Sequence, residues 1–417
     1  MIIGVPSETA GDERRVALIP PVAGEFVDEG HEVRVASGAG EGSGWTDEDY
    51  REVGCEVVED REEVFDGADV ILQVRGLGAN QENPVDPYRE GQVVIGLLGP
   101  YDVDDADLET LADRGVSAFS LELIPRISRA QSMDALSSMA NIGGYKAAVM
   151  AANELPKMFP LLMTAAGTVQ PADVFVIGAG VAGLQAIATA DRLGASVRAY
   201  DIRLEVKNEV ESLGADFVEL DLETEGSGDD EGYAREMDEE FYNQQRKEMG
   251  RVVPESDVVI TTAAIPGAPA PELVSAEMIE EMDDGSVIVD LAADTGGNCE
   301  PTVADEVVHH EGVTIFGPTN LPSTVSHQAS ELFANNLSDF LRNLLDEGDL
   351  VVDTDDEIVD ATLLTHDGTI RNPHEADDED ETEDDADGSA DEDEGADEDE
   401  DGGTADDAET ATEASDE

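Results

Sequence analysis

Lysine is nearly missing from this 417-residue chain. Four lysines (Lys146, Lys157, Lys207 and Lys247) stand beside eighteen arginines and 100 acidic residues, giving a formal net charge of −78. So few basic groups exclude the patches that nucleic acid or an anionic membrane surface requires. Cysteine is also scarce. Cys55 and Cys299 cannot build a disulfide scaffold and fit a reducing compartment, and no CxxC or Cys/His cluster suggests a metal. Long apolar runs are absent too: the longest, near 158–169, is interrupted by Pro160 and is too short to span a bilayer. The start, MIIGVPSE, runs into a strand pattern with no secretory signal. These absences predict a cytoplasmic protein without a metal or a membrane span of its own.

What is abundant is acid. Residues 375–417 hold 25 acidic residues and no Lys or Arg. Such a segment cannot bury enough apolar surface to offset its ordering entropy, which predicts a disordered acidic tail over 371–417. Without residues 375–417 there remain 75 acids against 22 bases, a net of −53. Repulsion of that size favours molar salt, where the screening length falls to about 3 Å. The acidity therefore reads as adaptation to a high-salt cytoplasm, with an ordinary acidic protein as the alternative.

Two α/β alternations follow each other. The first has candidate strands at 2–5, 32–36, 69–74, 92–98 and 116–121, with helical patterns at 20–29, 46–53 and 104–114. The second has strands at 173–178, 196–201, 257–262, 286–291 and 313–316. Alternation of this kind predicts two doubly wound parallel-sheet, Rossmann-like domains. After residue 322 Leu332, Phe333, Leu337, Phe340, Leu341 and Leu344 recur at helical spacing, so the chain should pack back on the first domain. That makes the first domain discontinuous, 1–135 with 323–370, around a second at 136–322. A polar insertion at 222–250 reads either as a mobile functional loop or as a solvated excursion.

Residues 178–183 read GAGVAG between an apolar strand and a helical pattern, and the next strand ends at Tyr200-Asp201. This is a dinucleotide fingerprint in its proper context. Gly178 permits the turn, Gly180 admits the pyrophosphate, and Gly183 allows helix to pack on strand. Asp201 would accept bonds from the ribose hydroxyls and repel a 2′-phosphate, favouring NAD(H) over NADP(H); Arg203 leaves the second open. The histidines suggest no acid/base. His309 and His310 lie in a helix-end pattern, and His327, beside a likely cleft, reads as structural. Hydride exchange between two nicotinamides needs no proton relay, only two rings held in near-attack geometry. The stretch 126–138, RISRAQSMDALSS, has the amide, carboxylate, hydroxyl and guanidinium groups to hold one such ring. It also reads as a solvated loop.

The segments MTAAGTVQPADVFVIGAGVAGLQAIATADRLGA, PRISRAQSMDALSS, TTAAIPGAPAPELV and VIVDLAADTGGNCE resemble the NAD(H)-binding subunit of proton-translocating nicotinamide nucleotide transhydrogenases, over residues 1 to about 345. The resemblance implies that Arg126, Gln131, Asp134 and Ser137 contact the dihydronicotinamide. It places Val181, Ala182 and Gly183 at the pyrophosphate and Asp201, Ile202 and Arg203 at the adenosine side. Gly232 and Gln245 would belong to a mobile closing loop, and Ile265 would make a backbone contact. It further implies a homodimer that passes hydride to NADP(H) on a partner beta subunit, with separate membrane subunits moving protons. Alanine dehydrogenases share the fold and are the alternative. Their substrate lysine and catalytic histidine correspond here to Arg75 and Leu97, which argues against amino-acid chemistry.

Overall fold

Continuous β-branched runs such as DVFVI and VVIT are apolar on both faces, so they serve as interior strands of sheets covered by helices on either side. The computed structural model describes residues 1–80, 85–220 and 239–371. The acidic tail, Gly232 and residues 222–238 of the predicted loop lie outside the described residues.

The chain begins with β1 (Ile2–Val5), α1 (Pro20–Asp28), β2 (Glu32–Ala36), α2 (Asp47–Glu52), β3 (Glu56–Val58), α3 (Arg61–Gly67), β4 (Val70–Arg75), β5 (Val93–Leu97), α4 (Asp105–Asp113) and β6 (Ser117–Ser120). A long helix, α5 (Ala135–Glu154), leads to a hairpin of β7 (Leu162–Thr164) and β8 (Gly167–Val169). There follow β9 (Asp173–Ile177), α6 (Val181–Arg192), β10 (Ser196–Tyr200), α7 (Lys207–Ser212), β11 (Asp216–Phe217), α8 (Glu239–Met249), β12 (Val258–Thr261), α9 (Ala276–Glu280), β13 (Val287–Asp290), β14 (Val307–His310) and β15 (Val313–Phe316). The chain returns through α10 (Ser326–Asn343), the short pair β16 (Leu345–Asp346) and β17 (Asp349–Leu350), α11 (Glu357–Thr362), β18 (Leu363–His366) and β19 (Thr369–Ile370).

Among the described residues, one sheet has the order β19-β18-β6-β5-β4-β1-β2-β3 and a second the order β11-β10-β9-β12-β13-β15-β14. In each, chain direction around the sheet reverses beside the first strand entered, at β1/β4 and at β9/β12. Those switch points open a crevice at the carboxyl ends of the strands. The return segment closes on the first sheet. Ala329, Phe333, Leu337, Phe340 and Leu341 of α10 are buried in its core, whereas Leu332, expected on the same face, is 42% exposed.

Three expectations need correction. His309 and His310 belong to the edge strand β14, antiparallel to β15, and not to a helix end. Val307 and Val308 open the short strand that a two-histidine sequence obscured. Residues 239–249 of the predicted loop form α8: its polar surface hides Gln245 and Met249, four residues apart on one buried face. The short strands β3, β11, β18 and β19 have no counterpart among the expected strands, being too brief for periodicity to declare them.

Two acidic side chains stand at the carboxyl ends of the first sheet's strands. Glu8, just beyond β1, accepts hydrogen bonds from the backbone N–H groups of Val74 (2.7 Å) and Arg75 (3.1 Å), and burial pushes its carboxyl up to about 7. Glu122, beyond β6, accepts from Leu98 and Gly99 in the same way. The second sheet's crevice remains open.

Candidate functional site

At the end of β9 the chain must turn sharply into α6. Gly178 does so at φ +96°, where a Cβ would lie 2.5 Å from Thr262 Oγ1. A Cβ on Gly183 would lie 1.8 Å from the Gly178 carbonyl oxygen, so only glycine lets the first turn of α6 back against the strand end. Around Gly180 a Cβ would meet nothing within 4 Å: the chain there borders open space. Gly180 is also the N-cap of α6 and gives it no side-chain cap. The first-turn N–H groups therefore stay available to an anion, with the helix dipole behind them.

That open space is a cavity of about 700 Å³. Its walls include Arg126 and Ser137 at one end, Gly178, Gly180, Val181 and Ala182 along the turn, and Asp201, Ile202, Arg203, Gln245 and Ile265 beyond it. Three of the expected residues that the structure describes are not on its wall. Gly183 lies behind the turn, Gln131 is exposed in a 3₁₀ turn (Gln131–Met133), and Asp134 caps α5, its Oδ1 accepting from the Ser137 N–H at 2.7 Å. Asp134 thus fixes where Ser137 stands.

The Asp201 carboxylate is buried and already engaged. Oδ2 accepts from the Ala179 N–H (2.7 Å) and Arg203 Nη2 (2.9 Å); Oδ1 accepts from the Arg203 N–H (2.8 Å) and Nε (2.9 Å). It ties the glycine turn to β10, and its charge is balanced by Arg203. The cavity therefore presents an Asp–Arg pair at this point, not a lone carboxylate.

Two buried side chains hold the far wall. Asn298 donates to the Ala263 and Pro271 carbonyls (2.8 and 2.9 Å) and accepts from the Ala263 N–H, fixing the turn that carries Ile265. Asp290 accepts from Thr261, Ala292, Cys299 and Thr302, pinning the segment that follows β13. That segment brings Asp294 to the cavity, its carboxyl raised by burial and by nearby Asp102 and Asp290. Cys299 is sealed in the core and its thiol is pushed well up by burial, which removes it from chemistry. His327 is structural: Nδ1 meets the Ser43 carbonyl at 2.8 Å and the ring stacks on Trp45. Among the described residues no group of three or more His, Cys, Asp or Glu is placed to hold a metal, and no helix is long and apolar enough to cross a membrane.

Sequence reading missed Tyr200, Thr262, Leu273, Asp294 and Thr319 on the cavity wall. A signal existed for Thr262 and Thr319: the first is the last residue of the predicted strand 257–262 and the second follows the predicted strand 313–316, at carboxyl ends where such crevices form. For Leu273, set by the Asn298 contacts, there was none.

Residues 4–143 match the family model described as alanine dehydrogenase/PNT, N-terminal domain, and residues 147–373 its C-terminal domain. The chain is 44% identical over 378 residues to an NAD(P) transhydrogenase subunit alpha chain of Rhodospirillum rubrum, covering 89% of this chain and 98% of that one. It is 30% identical to an alanine dehydrogenase of Mycobacterium tuberculosis over 91% of this chain and 96% of the relative. The crystal structure of a transhydrogenase from Sinorhizobium meliloti superposes with a TM-score of 0.78 at 42% identity, covering 89% of this chain and all of that one.

Proposed function

Because the chain belongs to the alanine dehydrogenase/PNT family, we propose that it is the NAD(H)-binding alpha subunit of an NAD(P) transhydrogenase. In this reading it exchanges hydride with NADP(H) held on a partner subunit, and separate membrane subunits couple the exchange to proton movement. One observation carries the reading. A single cavity joins a phosphate-binding glycine turn to Arg126 and Ser137, and its described wall has neither histidine nor lysine. The alanine dehydrogenase alternative gains nothing from the structure. Leu97 ends β5 as an apolar side chain against the core, and the Arg75 guanidinium is occupied by the Ala79 carbonyl (2.8 Å) and Asp12.

The residues present fit a dinucleotide. Open space at Gly180 admits a pyrophosphate, and the uncapped turn of α6 offers it N–H donors. Asp201 and Arg203 would hold the adenosine ribose, with Ile202 and Ile265 beside it. Arg126 and Ser137 would orient the nicotinamide, Asp134 fixing Ser137 and Gln131 standing exposed toward whatever docks there. When bound, NADH supplies the hydride; the protein's task is orientation and exclusion of water. Gly183 supports the turn, and Gly232 is proposed to act within a closing segment.

A homodimer is part of the proposal. The β7–β8 hairpin is exposed throughout, and Leu161, Leu162, Met163 and Val169 present their apolar side chains to solvent. An isolated two-stranded hairpin is marginal in water, so a second copy is the natural cover.

Nucleotide preference tests the site. NADH should bind far more tightly than NADPH in a fluorescence titration. Replacing Asp201 with Ala frees the Arg203 guanidinium to meet a 2′-phosphate, and should shift the preference toward NADPH by about 1–3 kcal/mol, roughly 5- to 150-fold. Equal wild-type affinities would sink the assignment.

Salt tests the surface reading, and with it a high-salt cytoplasm. A body at −53 should gain thermal stability between tenths-molar and molar KCl, as screening shortens. The gain should persist in a chain truncated after residue 374. A truncated chain equally stable at both concentrations would remove the argument for salt adaptation.

A further inference from the structure

We infer that Asn336, reaching out from α10, is a positioning residue for hydride transfer: it holds the turn that carries Gln131 and leads into the Asp134 cap. The inference rests on the transhydrogenase reading above and adds to it a residue that does not line the cavity. Asn336 is only 7% exposed, on the helix whose Phe333, Leu337 and Phe340 are sealed in the first core. Ala130 and Met133, on either side of Gln131 and Ser132, are buried in that same core. Asn336 Nδ2 donates to the Ser132 carbonyl at 2.7 Å, a bond between residues 204 positions apart in the chain.

The direction of that bond is fixed. A carbonyl oxygen only accepts, so turning the amide over would set lone pair against lone pair. The other end of the side chain gains nothing: Asn336 Oδ1 is buried without a partner among the described residues. A buried polar atom left unmet costs stability, and a leucine on the same apolar face would avoid that cost. What asparagine adds there is the donor for Ser132.

The Ser132 carbonyl stands between two residues of the proposed site. Displacing it moves Gln131 on one side and, on the other, the Asp134 cap that fixes Ser137. A second tie joins the same stretch to the return segment, Arg129 Nη1 to Asp356 Oδ2 at 2.8 Å. Both of its side chains are partly exposed, so salt screens it and it holds little. The enclosed bond from Asn336 is left to set the height of the turn. Since a shift of about 1 Å at a reacting group costs roughly a hundredfold in rate, a residue outside the cavity can govern the chemical step.

The test uses the full chain at high salt. It measures NADH affinity, amide hydrogen exchange without nucleotide, and single-turnover hydride transfer with an NADP(H)-binding transhydrogenase domain. Asn336→Leu should leave NADH affinity within about threefold while transfer falls at least about tenfold. The Ala130 and Met133 amides, which donate to the Ile127 and Ala130 carbonyls, should exchange at least about tenfold faster, while the middle of α10 keeps its protection. Asn336→Asp separates positioning from packing, and decides the matter even if the leucine variant fails to fold. An ionised carboxylate has no proton to give and repels the Ser132 carbonyl; a protonated one donates as the amide did. Burial raises such a carboxyl, so its transfer rate, as a fraction of wild type, should be about tenfold low near about pH 8 and recover toward about pH 5.5. The leucine variant's fraction should not change with pH. Wild-type transfer by Asn336→Leu, an equal fall in affinity and transfer, or an Asn336→Asp fraction indifferent to pH would each overturn the inference. A wild type that binds no NADH, or passes no hydride to the NADP(H) domain, would instead overturn the reading on which it stands.

Discussion

Replacing Arg126 with Ala should slow single-turnover hydride transfer by about a hundredfold, while NADH affinity changes only a few-fold. Arg126 lines the cavity, and in the proposed site the glycine turn and Asp201 carry most of the anchoring contacts. Loss of its guanidinium leaves the dinucleotide bound but lets the reacting ring wander, and a misplacement of about 1 Å is worth roughly two orders of magnitude in rate. Ser137→Ala should act in the same direction. The measurement mixes the chain with an NADP(H)-binding transhydrogenase domain at high salt and follows reduction of an NAD+ analogue. If transfer and affinity fall together, Arg126 is an anchor and not an aligning group.

A second large effect should come from Gly183. A valine there must place its Cβ where the Gly178 carbonyl oxygen now sits, 1.8 Å away, so the glycine turn has to move. NADH binding should drop by at least about a hundredfold, and overpacking of about 1–3 kcal/mol should lower the melting temperature by several degrees. Gly180→Ala is the informative contrast. Its methyl meets no protein atom within 4 Å but intrudes on the space left for the ligand. The melting temperature should hold while affinity falls about tenfold, as close backbone approach to the pyrophosphate is lost. Equal affinity losses with equal loss of stability in both variants would show that the turn is merely structural.

How much of this could be read from residues alone differed by element. Interior strands such as β9 and β12 announce themselves by unbroken apolar runs, because both faces are buried. Gly178 and Asp201 were legible because a turn at positive φ and a strand-end carboxylate each demand a particular residue type. The Asp201–Arg203 pairing was not: two residues of opposite charge two positions apart pair only if the backbone between them bends, which spacing does not tell. Gln245 illustrates the opposite failure. In EEFYNQQRKEM it looks like one more polar surface group, and only the packing of α8 onto β10 shows it to be enclosed. Asp134 caps α5, a local job that the resemblance, which places it at the dihydronicotinamide, did not announce. Gly232 and the acidic tail lie outside the described residues.

The helix α5 carries Ser137 in its first turn and Gly143 and Gly144 two turns later. Gly144 approaches Ala182 so closely that a Cβ would come within 2.0 Å of its carbonyl oxygen. One end of the cavity is thereby geared to the other through a single rigid rod. A one-residue insertion between Ser137 and Gly143 would rotate everything upstream by about 100° and advance it by about 1.5 Å, sweeping Ser137 off the cavity. Loops elsewhere in the chain can lengthen and shorten; the five residues between Ser137 and Gly143 have no such freedom, because in the proposed site their pitch is the ruler that would space the reacting ring from the phosphates.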